Sequence, residues 1–273
     1  MSEEQRQHIR RLRQLHETSG SFVIANAWDA GSAKILAGLG FPALATSSGA
    51  AAGVLGRLDG RITRDEALSQ ATGIVAAVSV PVSADLEKGF GDSPAEVADT
   101  ILLAIDTGLA GGSIEDATGD SRRPLFDHSF AVERVQAAVE AARESGTGFM
   151  ITARTENYLR GNPDLDDTIK RLQAFERAGA DVLFAPGLPS LEAVQLVCAS
   201  VTKPVNFMVG VPGKSFSVEE LTRAGVKRIS LASTLHRAAM SALMDAADEV
   251  LGKGTFDYLQ RSQPAARISS FFK

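Results

Sequence analysis

The sequence predicts an α/β fold, a (β/α)8 TIM barrel, and three observations carry that prediction. Eight short β-rich runs alternate with longer stretches whose apolar residues recur at i, i+3 and i+4. Several of those stretches stop at a glycine just before the next run, as in LAGLGFPALA and FERAGADVLFA. The chain has 273 residues, close to the roughly 250 typical of one such barrel.

Taken in order, the first run is Phe22–Asn26, followed by Trp28 and by Asp29, a candidate cap for a helix starting near Gly31. Ala43–Ser47 follows Gly40, and Val80–Asp85 comes next. Gly112–Glu115 follows Gly108, Phe149–Ala153 follows Gly146, and Val182–Ala185 follows Gly179. Val205–Val209 and then Arg228–Ala232, preceded by Gly225, complete the set. Helices are predicted over Ala95–Asp106, Phe130–Glu144 (with Asp127 as its cap), Leu165–Ala178 and Leu191–Ser200. Strands joined through helices pair in parallel with right-handed crossovers, and eight units close on themselves. A doubly wound open sheet is the rival, but no GxGxxG follows the first run. No linker or compositional break divides residues 1–273, so one barrel domain is expected, extended by a helix over Arg237–Leu251 and a tail over Asp257–Lys273. The tail ends in Phe271 and Phe272, which are costly in water unless they dock on the barrel itself or on a partner subunit.

Composition narrows the function. Hydrophobic residues make up 44% and charged residues 22%, enough apolar material for a substantial core. The net charge of −5 comes without a basic run or aromatics set among basic residues, so nucleic acid is not an expected partner. The single cysteine, Cys198, excludes an internal disulfide and a multi-thiolate metal site, and reads as a small apolar residue of its helix. Met1–Leu15 has no apolar run and does not read as a signal peptide. No stretch reaches the ~18 apolar residues of a membrane span, so a cytoplasmic protein is expected. The histidines His8, His16, His128 and His236 are scattered and lack zinc-ligand spacing.

In such barrels chemistry sits at the C-terminal ends of the strands. The second run ends in Ser47-Ser48-Gly49, with Asp59 soon after; the third ends in Asp85-Leu86-Glu87; the fourth ends in Glu115-Asp116; the fifth runs into Arg154. Asp59, Asp85, Glu87 and Glu115 are thereby assigned to one rim with Arg154 beside them, Asp85 and Glu87 sharing a face because they are two apart. Converging carboxylates repel unless a hard cation sits among them, and Mg²⁺, with Mn²⁺ as a substitute, suits all-oxygen donors. Ser47 and Ser48 lack a GxSxG setting and read as donors to a carboxylate, with Asn206 of the seventh run on the same rim.

The segments ATSSGAAAGVLGRLDG, VPVSADLEKGFGDSP, GGSIEDATG, ITARTENYLRG and KPVNFMVGVPGKSFSVEELTRAGVKRISLAS resemble the successive motifs of the phosphoenolpyruvate mutase/isocitrate lyase superfamily from about Ile24 to Ala239. The resemblance implies a Mg²⁺ site in which Asp85 approaches the metal most closely while Asp59, Glu87 and Glu115 hold its waters. It implies that Ser47, Ser48 and Gly49 bind the substrate carboxylate and that Arg154 contacts the 2-oxo or enolate oxygen. It also implies a last helix swapped between subunits of a homo-oligomer, a dimer or more usually a tetramer. Three departures stand out. Glu87 replaces the more usual aspartate; Pro186-Gly187 stands where the lyases carry a glutamate; and Ala117–Pro124 replaces their K-x-C-G-H loop. Arg122 and Arg123 are then candidate sources of positive charge, and Thr118 a candidate to position water. The expectation is a Mg²⁺-dependent lyase or decarboxylase cleaving a C–C bond of a small 2-oxo or 2-hydroxy carboxylate. The alternatives are a C–P hydrolase or phosphonomutase acting on phosphonopyruvate or phosphoenolpyruvate, and a barrel that binds a carboxylate or a protein partner without catalysis.

Overall fold

Each β-rich run becomes a strand of a closed barrel in the computed structural model, which describes residues 2–273. The strands are β1 (Phe22–Asn26), β2 (Leu44–Ala45), β3 (Val82–Asp85), β4 (Gly111–Glu115), β5 (Met150–Arg154), β6 (Val182–Phe184), β7 (Val205–Met208) and β8 (Arg228–Ser230). Neighbours pair in parallel in chain order, and β8 returns to β1 with Phe22 opposite Arg228. Around them run α1 (Glu3–Glu17), α2 (Ala30–Gly38), α3 (Ser48–Val54), α4 (Arg64–Val75), α5 (Pro94–Asp106), α6 (His128–Glu144), α7 (Leu165–Arg177), α8 (Leu191–Ala199) and α9 (Val218–Arg223). Two more, α10 (Thr234–Lys253) and α11 (Ala265–Ser270), follow the last strand.

β2, β6, β7 and β8 end one or two residues before the runs predicted for them, whereas β5 runs one residue further, to Arg154. Thr46 still donates its amide to Ser83, but Ser47 turns to cap α3, accepting from the Ala50 amide at 3.4 Å. Asp29 caps α2 through the Ser32 amide at 2.6 Å. Asp127 stands at the N-terminus of α6 but makes no cap hydrogen bond; its carboxylate lies 3.7 Å from Arg123 instead. Gly40, Gly108, Gly146, Gly179 and Gly225 all have positive φ, the left-handed helix stop that a side chain would strain.

The period of two sorts the strand residues. Val82, Ala84, Ile114, Ile151, Leu183, Val205 and Ile229 point outward into a core shared with Val97, Ile101, Val135, Leu172 and Phe175 of the surrounding helices. Ser83, Ser113, Asn206, Arg228 and Ser230 point inward and line a cavity of about 250 Å³. Such interiors are usually filled by branched aliphatic side chains; here they are polar and hollow.

The N-terminal segment, read only as lacking a targeting signal, is a helix that closes the bottom of the barrel. Ile9 and Leu12 of α1 are buried against Ile24, Ala43, Ala110, Met150 and Val182, each contributing about 1.5–3 kcal/mol. His16 is buried in the same contact, with Nδ1 donating to the Leu12 carbonyl at 2.8 Å and its ring edge-on to Phe22. Burial, aided by the charge of Arg228, pushes its pKa down to about 3. The unfolded chain therefore takes up this proton near the ordinary value of about 6.5 while the folded chain resists it. Stability from His16 is complete above that pH and is lost as pH falls from about 6.5 toward about 3, by roughly 1.4 kcal/mol per unit. Urea titrations of wild type and His16→Leu across that window should differ in slope by about this amount; parallel curves would refute it.

The helix after β8 is longer than expected, and none of its residues is buried. Met240, Leu243, Met244 and Leu251 leave an apolar face of α10 in solvent. Phe271 docks on the chain's own barrel: a Cβ on Gly38 of α2 would overlap its ring. Phe272 remains 47% exposed. No helix among the described residues is long and apolar enough to cross a membrane.

Candidate active site

The cavity opens at the C-terminal ends of the strands, and Ser47, Ser48, Gly49, Asp59, Asp85, Arg154 and Asn206 all line it. Asp85 closes β3. Its Oδ2 accepts the Ser48 amide at 3.1 Å and its Oδ1 accepts the Glu87 amide at 3.3 Å, so one carboxylate ties the β2 rim to the β3 rim. Asp59 folds in from the next loop and packs against Gly49, where a Cβ would come within 3.3 Å of its carboxyl group. The Ser48 amide, expected as a donor to substrate, is here engaged by Asp85.

Arg154, at the end of β5, is the hub. Its Nε lies 2.6 Å from Glu156 and 3.4 Å from Glu115, and its Nη1 3.9 Å from Asp85. Phe184 of β6 backs the guanidinium at 5.0 Å. Burial alone would lower the Arg154 pKa, but Glu115, Glu156 and Asp85 outweigh it and hold the group charged. Arg160 adds a second cation, 3.3 Å from Glu115 and 3.0 Å from Glu156. Behind this layer Asp116 accepts from the Glu156 amide at 2.8 Å and pairs with Arg171 at 3.1 Å, which fixes the strand end that carries Arg154. Burial raises the Glu115 carboxyl above the ordinary carboxylate range, with Arg154 opposing.

Glu87 reaches the cluster by a different route from the one its spacing suggested. The strand ends at Asp85, and Glu87 takes a left-handed conformation with φ of 49°, a strain of about 1 kcal/mol or more that functional sites tolerate. Phe90 in the same loop is also left-handed. The loop is pinned from below by Arg134 of α6, which is 1% exposed and donates to the carbonyls of Lys88, Gly91 and Asp92. Burial, then Asp85, then Asp59 push the Glu87 pKa up to about 7, and its buried Oε1 has no hydrogen-bond partner.

These features bear on whether the site suits a cation. Asp59, Asp85, Glu87, Glu115 and Glu156 outnumber the guanidinium groups of Arg154 and Arg160, and one carboxylate oxygen is buried without a partner. Among the described residues no three His, Cys, Asp or Glu side chains converge closely enough to chelate an ion alone. An acidic, all-oxygen donor set of this kind suits a hard cation reached largely through its waters better than it suits zinc.

Thr118, Arg122 and Arg123 are not brought to the cavity. Their loop folds on itself, with Ala117 bridged to Leu125 and the Thr118 hydroxyl held between the Asp120 amide and the Arg123 carbonyl. Arg122 pairs with Asp120 and has 87% of its side chain exposed, and Arg123, 72% exposed, turns to Asp127. Sequence reasoning passed over Arg160, Arg228 and Arg237. The last two line the cavity, and an inward arginine on β8 is visible from the period of two alone. Asn26, whose side chain bonds Thr46 and Leu231 across the β1 rim, also escaped it.

Comparison with known proteins agrees with this fold. A 2-methylisocitrate lyase of Aeropyrum pernix is 30% identical over 253 residues, covering 89% of this chain and 80% of the relative. A 2,3-dimethylmalate lyase of Eubacterium barkeri is 33% identical over 182 residues, 64% of this chain and 61% of its own. A crystal structure from Burkholderia cenocepacia J2315 superposes with a TM-score of 0.97 at 48% identity, covering 99% of this chain and 97% of that one. The profile of the family described as phosphoenolpyruvate phosphomutase matches residues 12–251. With its closed eight-stranded barrel and its relatives among the lyases, the chain belongs to the phosphoenolpyruvate mutase/isocitrate lyase superfamily.

Proposed function

We propose that this protein is a cytoplasmic, Mg²⁺-dependent lyase or decarboxylase that cleaves a C–C bond of a small 2-oxo or 2-hydroxy carboxylate through an enolate. The observation that carries this reading is the acidic cluster around Arg154 at the cavity mouth, with the buried, unpartnered Glu87 oxygen within it. Asp85 is the residue to touch the cation directly, with Asp59, Glu87 and Glu115 reaching its waters, and Mn²⁺ can serve in its place. The cation, when bound, stabilises negative charge that develops on the substrate's 2-oxo oxygen. Arg154 is held charged by Glu115 and Glu156 and supplies a fixed donor to the same oxygen, needing no reorganisation during reaction. Ser47, Ser48 and Gly49 orient the substrate carboxylate, and Asn206 lines the wall opposite. The names of the relatives, lyases for small branched di- and tricarboxylates, support C–C cleavage.

The test is a substrate panel with Mg²⁺: oxaloacetate, alkylmalates, isocitrate, 2-methylisocitrate and phosphonopyruvate, with 2-oxo acid and phosphate detected separately. A 2-oxo acid from a carbon substrate is the expected result; phosphate from phosphonopyruvate would replace the C–C reading with C–P chemistry. The cation itself gives a second check. With its carboxyl raised to about 7, Glu87 is largely protonated below that pH, and a bound cation favours the ionised form. Mg²⁺ binding should therefore tighten as pH rises, up to roughly tenfold per unit below pH ~7, with proton release. Calorimetry in buffers of different ionisation enthalpy measures both, and pH-independent affinity would contradict this role for Glu87.

We further propose a homo-oligomer in which the apolar face of α10 is covered by a second copy. A monomer by sedimentation at micromolar concentration would dismiss it.

A further inference from the structure

Four arginines of this barrel are at least nine-tenths buried or nearly so, and three of them face acids or a set of carbonyls. Arg154 has Glu115 and Glu156, Arg171 has Asp116 and Asp167, and Arg134 has the carbonyls of the β3 loop. Arg228 is different. It starts β8, is 6% exposed, and crosses the barrel interior, where Nε donates to Asn206 Oδ1 at 2.8 Å and Nη2 to Thr152 Oγ1 of β5 at 3.0 Å. Both partners are neutral. Among the described residues no carboxylate pairs with it, and burial lowers its pKa to about 10 with no acidic neighbour opposing.

An uncompensated buried guanidinium is expensive, and such charges are normally paired. The surroundings of Arg228 show where its counter-charge would sit. It lines the same cavity as Ser83, Ser113 and Ser230, all inward-facing hydroxyls, and the acids of that cavity lie higher, on the rim. Thr152 precedes Arg154 by two residues on one strand face, so the contact lies one layer, roughly 6.6 Å, below the Arg154 position. A buried cation held by Asn206 and Thr152, sharing a hollow of about 250 Å³ with the hydroxyls of Ser83, Ser113 and Ser230, has the chemistry of an anion receptor.

We propose that Arg228, with the hydroxyls of Ser83, Ser113 and Ser230, forms an anion subsite on the floor of the barrel, one layer beneath the acidic cluster. Its ligand is a small anion, supplied either as the second carboxylate of the substrate or as a free inorganic ion. The subsite stands without the metal; its use for a substrate carboxylate rests on the lyase reading above, and would make the substrate a dicarboxylate.

Bromide is the probe. Wild-type protein free of Mg²⁺ should bind it measurably by calorimetry, and crystals grown in bromide should show an anomalous peak within hydrogen-bond distance of the Arg228 guanidinium. Arg228→Met should weaken bromide binding by about tenfold to a hundredfold while Arg228→Lys retains part of it, and Mg²⁺ binding to Arg228→Met should persist. Competition then separates the sources. Displacement of bromide by Mg²⁺ with malate, but not by Mg²⁺ with lactate, identifies a substrate's second carboxylate; displacement by neither identifies a free ion. Both outcomes support the subsite. Absence of bromide from the wild-type floor, or undiminished affinity in Arg228→Met, would overturn it, and if that variant does not fold the wild-type crystal decides. Bromide binding with no Mg²⁺ binding would sink the lyase reading and leave the subsite standing.

Discussion

Asp85→Ala is expected to abolish Mg²⁺ binding and to cut turnover of an active substrate by roughly 10³-fold or more, since both the cation and its charge stabilisation go together. The same carboxylate accepts the amides of Ser48 and Glu87, so alanine also frees two rim donors and does not isolate the charge. Asp85→Asn separates the effects. The amide keeps an oxygen for one of those bonds and loses the negative charge. If Asp85 acts through the cation, both variants lose Mg²⁺-dependent thermal stabilisation by oxalate, a dianion shaped like an enolate. Near-wild-type stabilisation in Asp85→Asn would reduce Asp85 to a strut and remove the principal support for the lyase reading.

The second large effect is on stability. Arg134→Met should cost about 3–5 kcal/mol, because the carbonyls of Lys88, Gly91 and Asp92 would lose their shared buried donor. The cation also stacks on Phe126 at 4.2 Å, a contact that methionine replaces only in part. For a chain of this size the apparent Tm should fall on the order of 6–15 °C. Glu87 rides on the same loop, so the surviving folded protein should also bind Mg²⁺ more weakly. Arg134→Lys, one point charge in place of a fork, should recover a fraction of the loss. A cost below about 1 kcal/mol would mean the loop holds its left-handed turns without help from α6.

Arg134 shows where reading the sequence runs out. In FAVERVQAAVE it occupies a place that helical periodicity can assign only as a polar interruption of an apolar face, and its use is set by a loop 43 residues earlier. The acid cluster was far more legible. Asp85, Glu115 and Arg154 each close a strand, and the period of two directs all three into the barrel. Glu87 was placed in the right company for the wrong reason: the strand does not reach it, and a left-handed turn returns its side chain to the cluster. The loop after β4 departs in the opposite way. Its residues are adjacent in sequence to Glu115, yet a local bridge and the ion pairs of Arg122 and Arg123 turn it outward.

Local rules were enough for the strand count, the glycine stops and the inward set, since each depends on backbone sterics and side-chain alternation within a few residues. Barrel closure decided the rest. Only when β8 meets β1 does Arg228 cross to Thr152, and only then does α1 have a floor to seal. Such contacts reach across the chain, Arg228 and Thr152 being 76 positions apart, and no periodicity carries the distance between them.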